Sequence, residues 1–175
     1  MTRWQRGPRT RVHENPFFNV YRSEAASESA RKTYFVVDFG VRAGMVALDG
    51  SRVLLVRQYR FLADGYCWEI PGGSVRPSER PEDAAIRETV EETGILCQDV
   101  EPLIAYYPSY DNVDNLTSVF ISRRHSVASP FAPDAHEVVE LRWVELAEAM
   151  EMCGVRGAYD GFTMLALMAA RKRLG

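Results

Sequence analysis

The chain has 175 residues, 46% of them apolar and 26% charged, and its 21 Lys and Arg fall short of its 24 Asp and Glu by three. That is the composition of one globular domain with a core of ordinary size, which excludes a chain disordered in bulk. The net charge of −3, with a pI of about 5.7, excludes a global attraction to nucleic acid or to an anionic membrane.

No apolar run approaches the ~18 residues of a membrane helix. The opening MTRWQRGPRTRVHENPF carries basic residues without an apolar core segment, so it does not read as a secretory signal. Cys67, Cys97 and Cys153 are odd in number, far apart and free of any CxxC spacing, so they point to a reducing, cytoplasmic setting. Each reads as a small buried hydrophobe.

In chain order, the first 30 residues are polar and irregular, and Ser23–Lys32 reads as a loop between two possible strands. Strand character begins at Thr33–Phe39 and continues in Val41–Leu48. The Asp49-Gly50 turn then leads into Arg52–Arg60, a hairpin signal. Tyr66–Ile70 is a short strand that ends at the Pro71-Gly72-Gly73 turn. Residues 79–93 form a helix: Ser78 supplies the cap, Pro81 falls in the first turn, and Gly94 provides the stop. Strands follow at Val100–Tyr107, Thr117–Ser122 and Val138–Val144, then helices at 146–152 and about 160–173. In the last helix Leu165, Met168 and Ala169 fall at helical spacing, and the final turn is basic. The sum is an α/β domain with a mixed sheet.

Glu88, Glu91 and Glu92 stand at i, i+3 and i+4, on one face of the predicted helix. Like charges so placed disfavour the helix by a few tenths of a kcal/mol per pair. Two readings follow. One is a solvated acidic face. The other is a site for a hard divalent cation, Mg²⁺ or Mn²⁺, which takes carboxylate oxygens and keeps water and phosphate as further ligands.

The surrounding spacing decides between them. Gly73, Glu79, Arg87-Glu88, Glu91-Glu92, Gly94 and Ile95 stand in the register of the signature of the Nudix hydrolases, and the segment resembles that family. Seven fixed positions match by chance about once in 10⁶ chains of this length, given average residue usage. One position departs: Thr89 stands where an aliphatic residue is usual, which costs some core burial and removes no ligand.

The resemblance implies a Nudix-type α/β/α sandwich with a mixed β-sheet. It implies metal-dependent attack of water on a nucleoside diphosphate linked to a second moiety, X. Glu88 and Glu92 are then the first metal ligands, with Glu91 on the same face and the Gly72 carbonyl beside them. Arg87 pairs with Asp83 or Glu91, and Glu79 orients the arginine and the ligands. A nearby carboxylate serves as general base.

The match extends to the ADP-ribose pyrophosphatase-like branch through Leu54–Arg60, Trp68–Gly73, Glu14-Asn15-Pro16 and Tyr107-Pro108-Ser109. It implies that Arg60, ahead of Arg57, binds the diphosphate, that Glu69 touches substrate or a metal-bound water, and that Pro108 lies in a substrate loop. Alternation places Gln58 and Arg60 on one strand face and Arg57 and Tyr59 on the other. Phe18, with Phe17, Tyr21 and Phe35, offers a stacking surface for a base. In this branch the proline loop continues to a glutamate that acts as base. Here Asn115 holds that place, Asp111 or Asp114 offers a shorter carboxylate, and Glu137 follows beyond the next strand.

ADP-ribose, cleaved to AMP and ribose 5-phosphate, is the expected small-molecule substrate, and nucleotide sugars come next. A nucleotide-sensing domain without activity is the alternative from another class. The acidic pI and the lack of a basic stripe argue against RNA as partner. Residues 1–32 form an N-terminal arm, exchanged in a homodimer by resemblance, ahead of a Nudix domain over 33–175.

Overall fold

The computed structural model describes residues 3–128, 138–152 and 160–175. Glu137 and Cys153 lie outside them. The elements run β1 (Gln5–Arg6), β2 (Thr10–Glu14), β3 (Asn19–Ala26), β4 (Arg31–Asp38), β5 (Arg42–Asp49) and β6 (Arg52–Arg60). A 3₁₀ turn at Phe61–Ala63 leads to β7 (Gly65–Glu69), β8 (Gly72–Ser74) and α1 (Pro81–Thr93). Next come β9 (Ile95–Gln98), β10 (Glu101–Tyr106), β11 (Val113–Asp114), β12 (Thr117–Ser122) and β13 (Arg124–Val127). The described chain closes with β14 (Val138–Glu145), α2 (Leu146–Met152) and α3 (Gly161–Leu174). None of the described helices is long and apolar enough to cross a membrane. These residues gather into two compact units, Met1–Val41 with Tyr106–Leu116, and Arg42–Ala105 with Thr117–Gly175.

The first unit is a five-stranded sheet ordered β1-β3-β4-β11, with β2 also paired to β3. The irregular opening expected from composition is therefore corrected: three of its segments are strands. The ladder from Asn19↔Asp38 to Ala26↔Arg31 takes in most of Ser23–Lys32, leaving only residues 27–30 as a turn. Local polarity hid a register that only cross-strand pairing defines. The Asn15 side chain closes the β2–β3 turn, its Oδ1 accepting from the Phe17 and Phe18 amides at 2.8 and 3.0 Å.

The second unit is built on β5. Alternation sends Ala43, Met45 and Ala47 to one face, against Ala84 and Ala85 of α1, in a core that also holds Leu54, Cys97 and Phe120. On the other face Gly44 meets the Phe162 ring of α3. The sheet thus carries helices on both faces, and β12 parallel to β5 beside the antiparallel β6–β14 pair makes it mixed. The β5–β6 hairpin pairs only next to its turn, at Leu48↔Val53 and Asp49↔Arg52. Beyond that β5 turns to β12 and β8, and β6 to β14 and β7. Strands β9 and β13 pair with each other and were not expected from the sequence.

Helix α1 starts at Pro81, two residues later than expected. Arg80 stands at the cap position without a side-chain cap bond, and Ser78 sits in the left-handed region at φ 66° instead of capping. Gly94, at φ 70°, ends the helix as expected, its amide donating to the Val90 carbonyl at 2.9 Å. In α3 the buried residues are Phe162, Thr163, Ala166, Leu167 and Ala170, whereas Leu165 and Met168 are exposed. The apolar spacing noted in the sequence therefore marks the outer side of this helix.

Candidate active site

Arg87 is the hub of the α1 face. Its Nε and Nη2 donate to the two Glu79 carboxylate oxygens at 2.8 and 2.9 Å, a two-point pair. Its Nη1 donates to Glu88 at 2.6 Å and Glu91 at 3.0 Å, and Nη2 also reaches the Ser74 carbonyl at 3.0 Å. The expected partner Glu91 is confirmed. Asp83 is not a partner, because Arg80 holds both its oxygens at 2.7 Å. The Arg87 guanidinium lowers the Glu79 carboxyl to about 2, and the Glu79 carboxylate in turn raises Arg87.

Glu88 and Glu92 flank the Gly72–Gly73 backbone. A Cβ on Gly73 would stand 2.6 Å from the Glu88 carboxyl carbon, so only glycine leaves that carboxylate its place. A Cβ on Gly72 would meet the Ala43 carbonyl at 2.5 Å. Glu92 accepts from Gln58 Nε2 at 2.6 Å and from the Gly72 amide at 2.9 Å. Burial pushes its carboxyl up to about 7, against the pull of these two neutral donors. Glu91 differs: its side chain is half exposed and engaged by Arg76 as well as Arg87.

Among the described residues no three acidic, histidine or cysteine side chains converge as a ready coordination group. The donor set nonetheless suits a hard cation. Two carboxylates one helical turn apart beside a backbone strand are oxygen donors, and Mg²⁺ characteristically uses one or two carboxylates and fills its other positions with water and phosphate. A partly buried carboxylate whose hydrogen-bond donors are both neutral, as those of Glu92 are, also suits a cation.

Arg60 lies on the Gln58 face of β6, as alternation predicted, and grips Glu69 through Nε–Oε1 and Nη2–Oε2, both 2.6 Å. Glu69 is buried, so it serves first as the anchor of this arginine. Arg57 points to the opposite face, where Nη1 donates to Glu140 at 3.1 Å and the guanidinium lies over Tyr66 and Trp68.

Phe18, Pro108 and Asp114 belong to the first unit. Phe18 packs against His13 and Phe39, whereas its neighbour Phe17 is exposed. Asp114 accepts from Arg9 Nη1 at 2.7 Å. That unit holds a groove of about 820 Å³, lined by Trp4, Arg6, Tyr34, Tyr107 and Tyr110 among others.

Sequence reasoning missed the contribution of α3. Thr163 Oγ1 accepts from the Ile70 amide at 3.2 Å, tying the strand before Pro71 to the helix. The Phe162 ring fills the space left by Gly44 and Gly72 and carries the Arg42 guanidinium 4.3 Å from its centroid. The paired glycines were the only available signal. Thr89, the departure from the signature, is fully buried and donates to the Ala85 carbonyl at 2.7 Å, so its hydroxyl is satisfied within the helix.

Comparison with known proteins identifies the family. The NUDIX domain family matches residues 38–162. An ADP-ribose pyrophosphatase of Bacillus subtilis (strain 168) is 30% identical over 145 residues, 82% of this chain and 78% of the relative. A CMP-5'-(N-acetyl-N-hydroxy-3-aminopropyl)phosphonate hydrolase of Streptomyces rubellomurinus is 30% identical over 171 residues, 95% of this chain and 82% of the relative. Among solved structures, one described as an ADP compounds hydrolase superposes with a TM-score of 0.82 at 17% identity, covering 98% of this chain and 94% of its own, a likeness of fold. The chain belongs to the Nudix hydrolase family, in its ADP-ribose pyrophosphatase-like branch.

Proposed function

We propose that this enzyme hydrolyses the diphosphate bridge of a nucleoside diphosphate linked to X, with ADP-ribose the first substrate and nucleotide sugars next. The observation that carries the proposal is the placement of Glu88 and Glu92 beside the Gly72–Gly73 backbone, with Arg87 fixed on Glu79. Glu88, Glu92 and the Gly72 carbonyl would hold Mg²⁺, for which Mn²⁺ substitutes. When bound, the ion neutralises phosphate oxygens and acidifies a water. Glu91 stands on the same helix face and is already engaged by Arg76 and Arg87. Arg60 keeps Nη1 free of the Glu69 grip and can offer it to a phosphate oxygen. Water adds to phosphorus, the bridging P–O bond breaks, and ADP-ribose yields AMP and ribose 5-phosphate.

A second reading has one specific support. The 108–115 loop has no glutamate, and Asp114 is held by Arg9. A domain that binds nucleotides without cleaving them fits those two facts. Phosphate release from ADP-ribose, ADP-glucose, GDP-mannose and UDP-glucose with Mg²⁺, measured with a coupled phosphatase, separates the readings. ADP-ribose turned over fastest, with Glu92→Gln losing orders of magnitude in kcat while the fold persists, is the expected result. Silence across the panel with nucleotide still raising Tm would establish the sensor.

We also infer a homodimer. Trp4, Phe17, Phe35, Phe39 and Tyr110 are exposed on the first unit, whose only buried residue among those described is Ala25. Side chains of this size represent several hundred Å² of apolar surface, on the scale of one side of a stable interface. Residues 1–32 carry seven basic and three acidic side chains while the whole chain is acidic, so the arm complements the body of a second copy. Light scattering at micromolar concentration tests this; a monomer refutes it. The unpaired, buried Cys67 and Cys97 support a cytoplasmic setting.

A further inference from the structure

Gln58 is buried, 6% exposed, in a strand whose other inward residues are apolar. A primary amide in such a place is costly unless bonded. Its Nε2 makes one bond, to Glu92 Oε1 at 2.6 Å, across 34 residues of sequence. The Gly72 amide holds the other oxygen at 2.9 Å. Both donors are neutral. The nearby guanidinium groups are committed to other carboxylates: Arg60 to Glu69, Arg76 to Glu91, and Arg87 to Glu79, Glu88 and Glu91. Glu92 is therefore oriented from two sides by neutral donors, and each oxygen keeps a further lone pair.

We infer that Gln58 is a positioning residue for Glu92: its amide fixes the orientation of the carboxylate that receives the divalent cation. The inference rests on the reading of Glu92 as a metal ligand. Gln58 shares a strand face with Arg60, so one face of β6 sets both the ligand carboxylate and the arginine offered to the diphosphate.

The test is Mn²⁺ titration of the full chain without substrate, by calorimetry or electron paramagnetic resonance, alongside kcat and KM. Gln58→Leu removes the amide. Gln58→Asn keeps it but withdraws it by one methylene from bonding reach, and serves if the leucine variant fails to fold. Both are expected to weaken Mn²⁺ binding by about 10- to 100-fold and to lower kcat, as loss of a bond to a metal ligand does elsewhere. KM for the nucleotide is expected to stay within a factor of about two, because an altered carboxylate is felt in chemistry more than in uniform binding. Mn²⁺ binding that Glu92→Gln abolishes but both Gln58 variants retain overturns this inference alone. A wild-type chain that takes up no Mn²⁺ overturns it together with the metal reading.

Discussion

Arg60, at the end of β6, reaches along the strand to Glu69 of β7, which the ladder sets opposite Val56, and two 2.6 Å bonds join them, with Glu69 buried and Arg60 half exposed. The arginine is the sole ion-pair partner given to that carboxylate among the described residues. Arg60→Ala is therefore expected to leave a buried charge unpaired and to destabilise the fold by about 1–3 kcal/mol, moderated by the solvent that already reaches Arg60. Urea denaturation measures the loss. Adding Glu69→Leu to Arg60→Ala should recover most of it, and a double variant no more stable than the single would refute the account.

Gly73→Ala separates chemistry from folding. The added methyl would displace the Glu88 carboxylate, which ends a flexible side chain, so the fold should yield little. Turnover with Mg²⁺ is expected to fall at least about 10-fold, since displaced ligands cost that much in metal affinity or activity. A circular-dichroism melt near that of the wild type, with reduced kcat, is the expected pair of results.

Gly44→Ala behaves oppositely. Its methyl would run into the buried Phe162 ring, which the Arg42 guanidinium covers. Overpacking of this kind costs about 1–3 kcal/mol. The denaturation midpoint should drop, and the further change Phe162→Leu should restore part of it by making room.

The Glu79–Arg87 pair fixes an acid limit. Glu79 titrates near 4.5 when free and near 2 in the fold, because Arg87 bonds its ionised form. A lowered carboxyl stabilises the fold fully above its unfolded value and loses that contribution as pH falls through the folded one. Glu79→Gln should therefore melt below the wild type at neutral pH, with the difference shrinking between about 4.5 and 2. A difference independent of pH would exclude the ion pair as its source.

The chemistry was legible in the sequence wherever it depends on a helical turn. Glu88, Glu91 and Glu92 share a face because of the helical period, and Gly94 ends the helix because a left-handed residue must follow it. The Glu79–Arg87 pair was indicated by the family spacing and then found. Alternation placed Arg60 with Gln58 and apart from Arg57 correctly, because strand period is also local. The first helical residue was misplaced because Ser78 and Pro81 both signal a start, and the backbone used the proline.

What the sequence determined by itself is thus the family, the α/β class and the one-turn carboxylate set, all written in short periods and fixed spacings. Tertiary structure alone decided that Glu92 answers to Gln58 and Gly72, that Arg60 is occupied by Glu69, and that Phe162 and Thr163 brace the strand end 93 residues away. It also turned a polar opening into a sheet. These relationships depend on ladder register and on which face of β5 each helix covers, and a neighbour brought in by register leaves no trace in the residues around it.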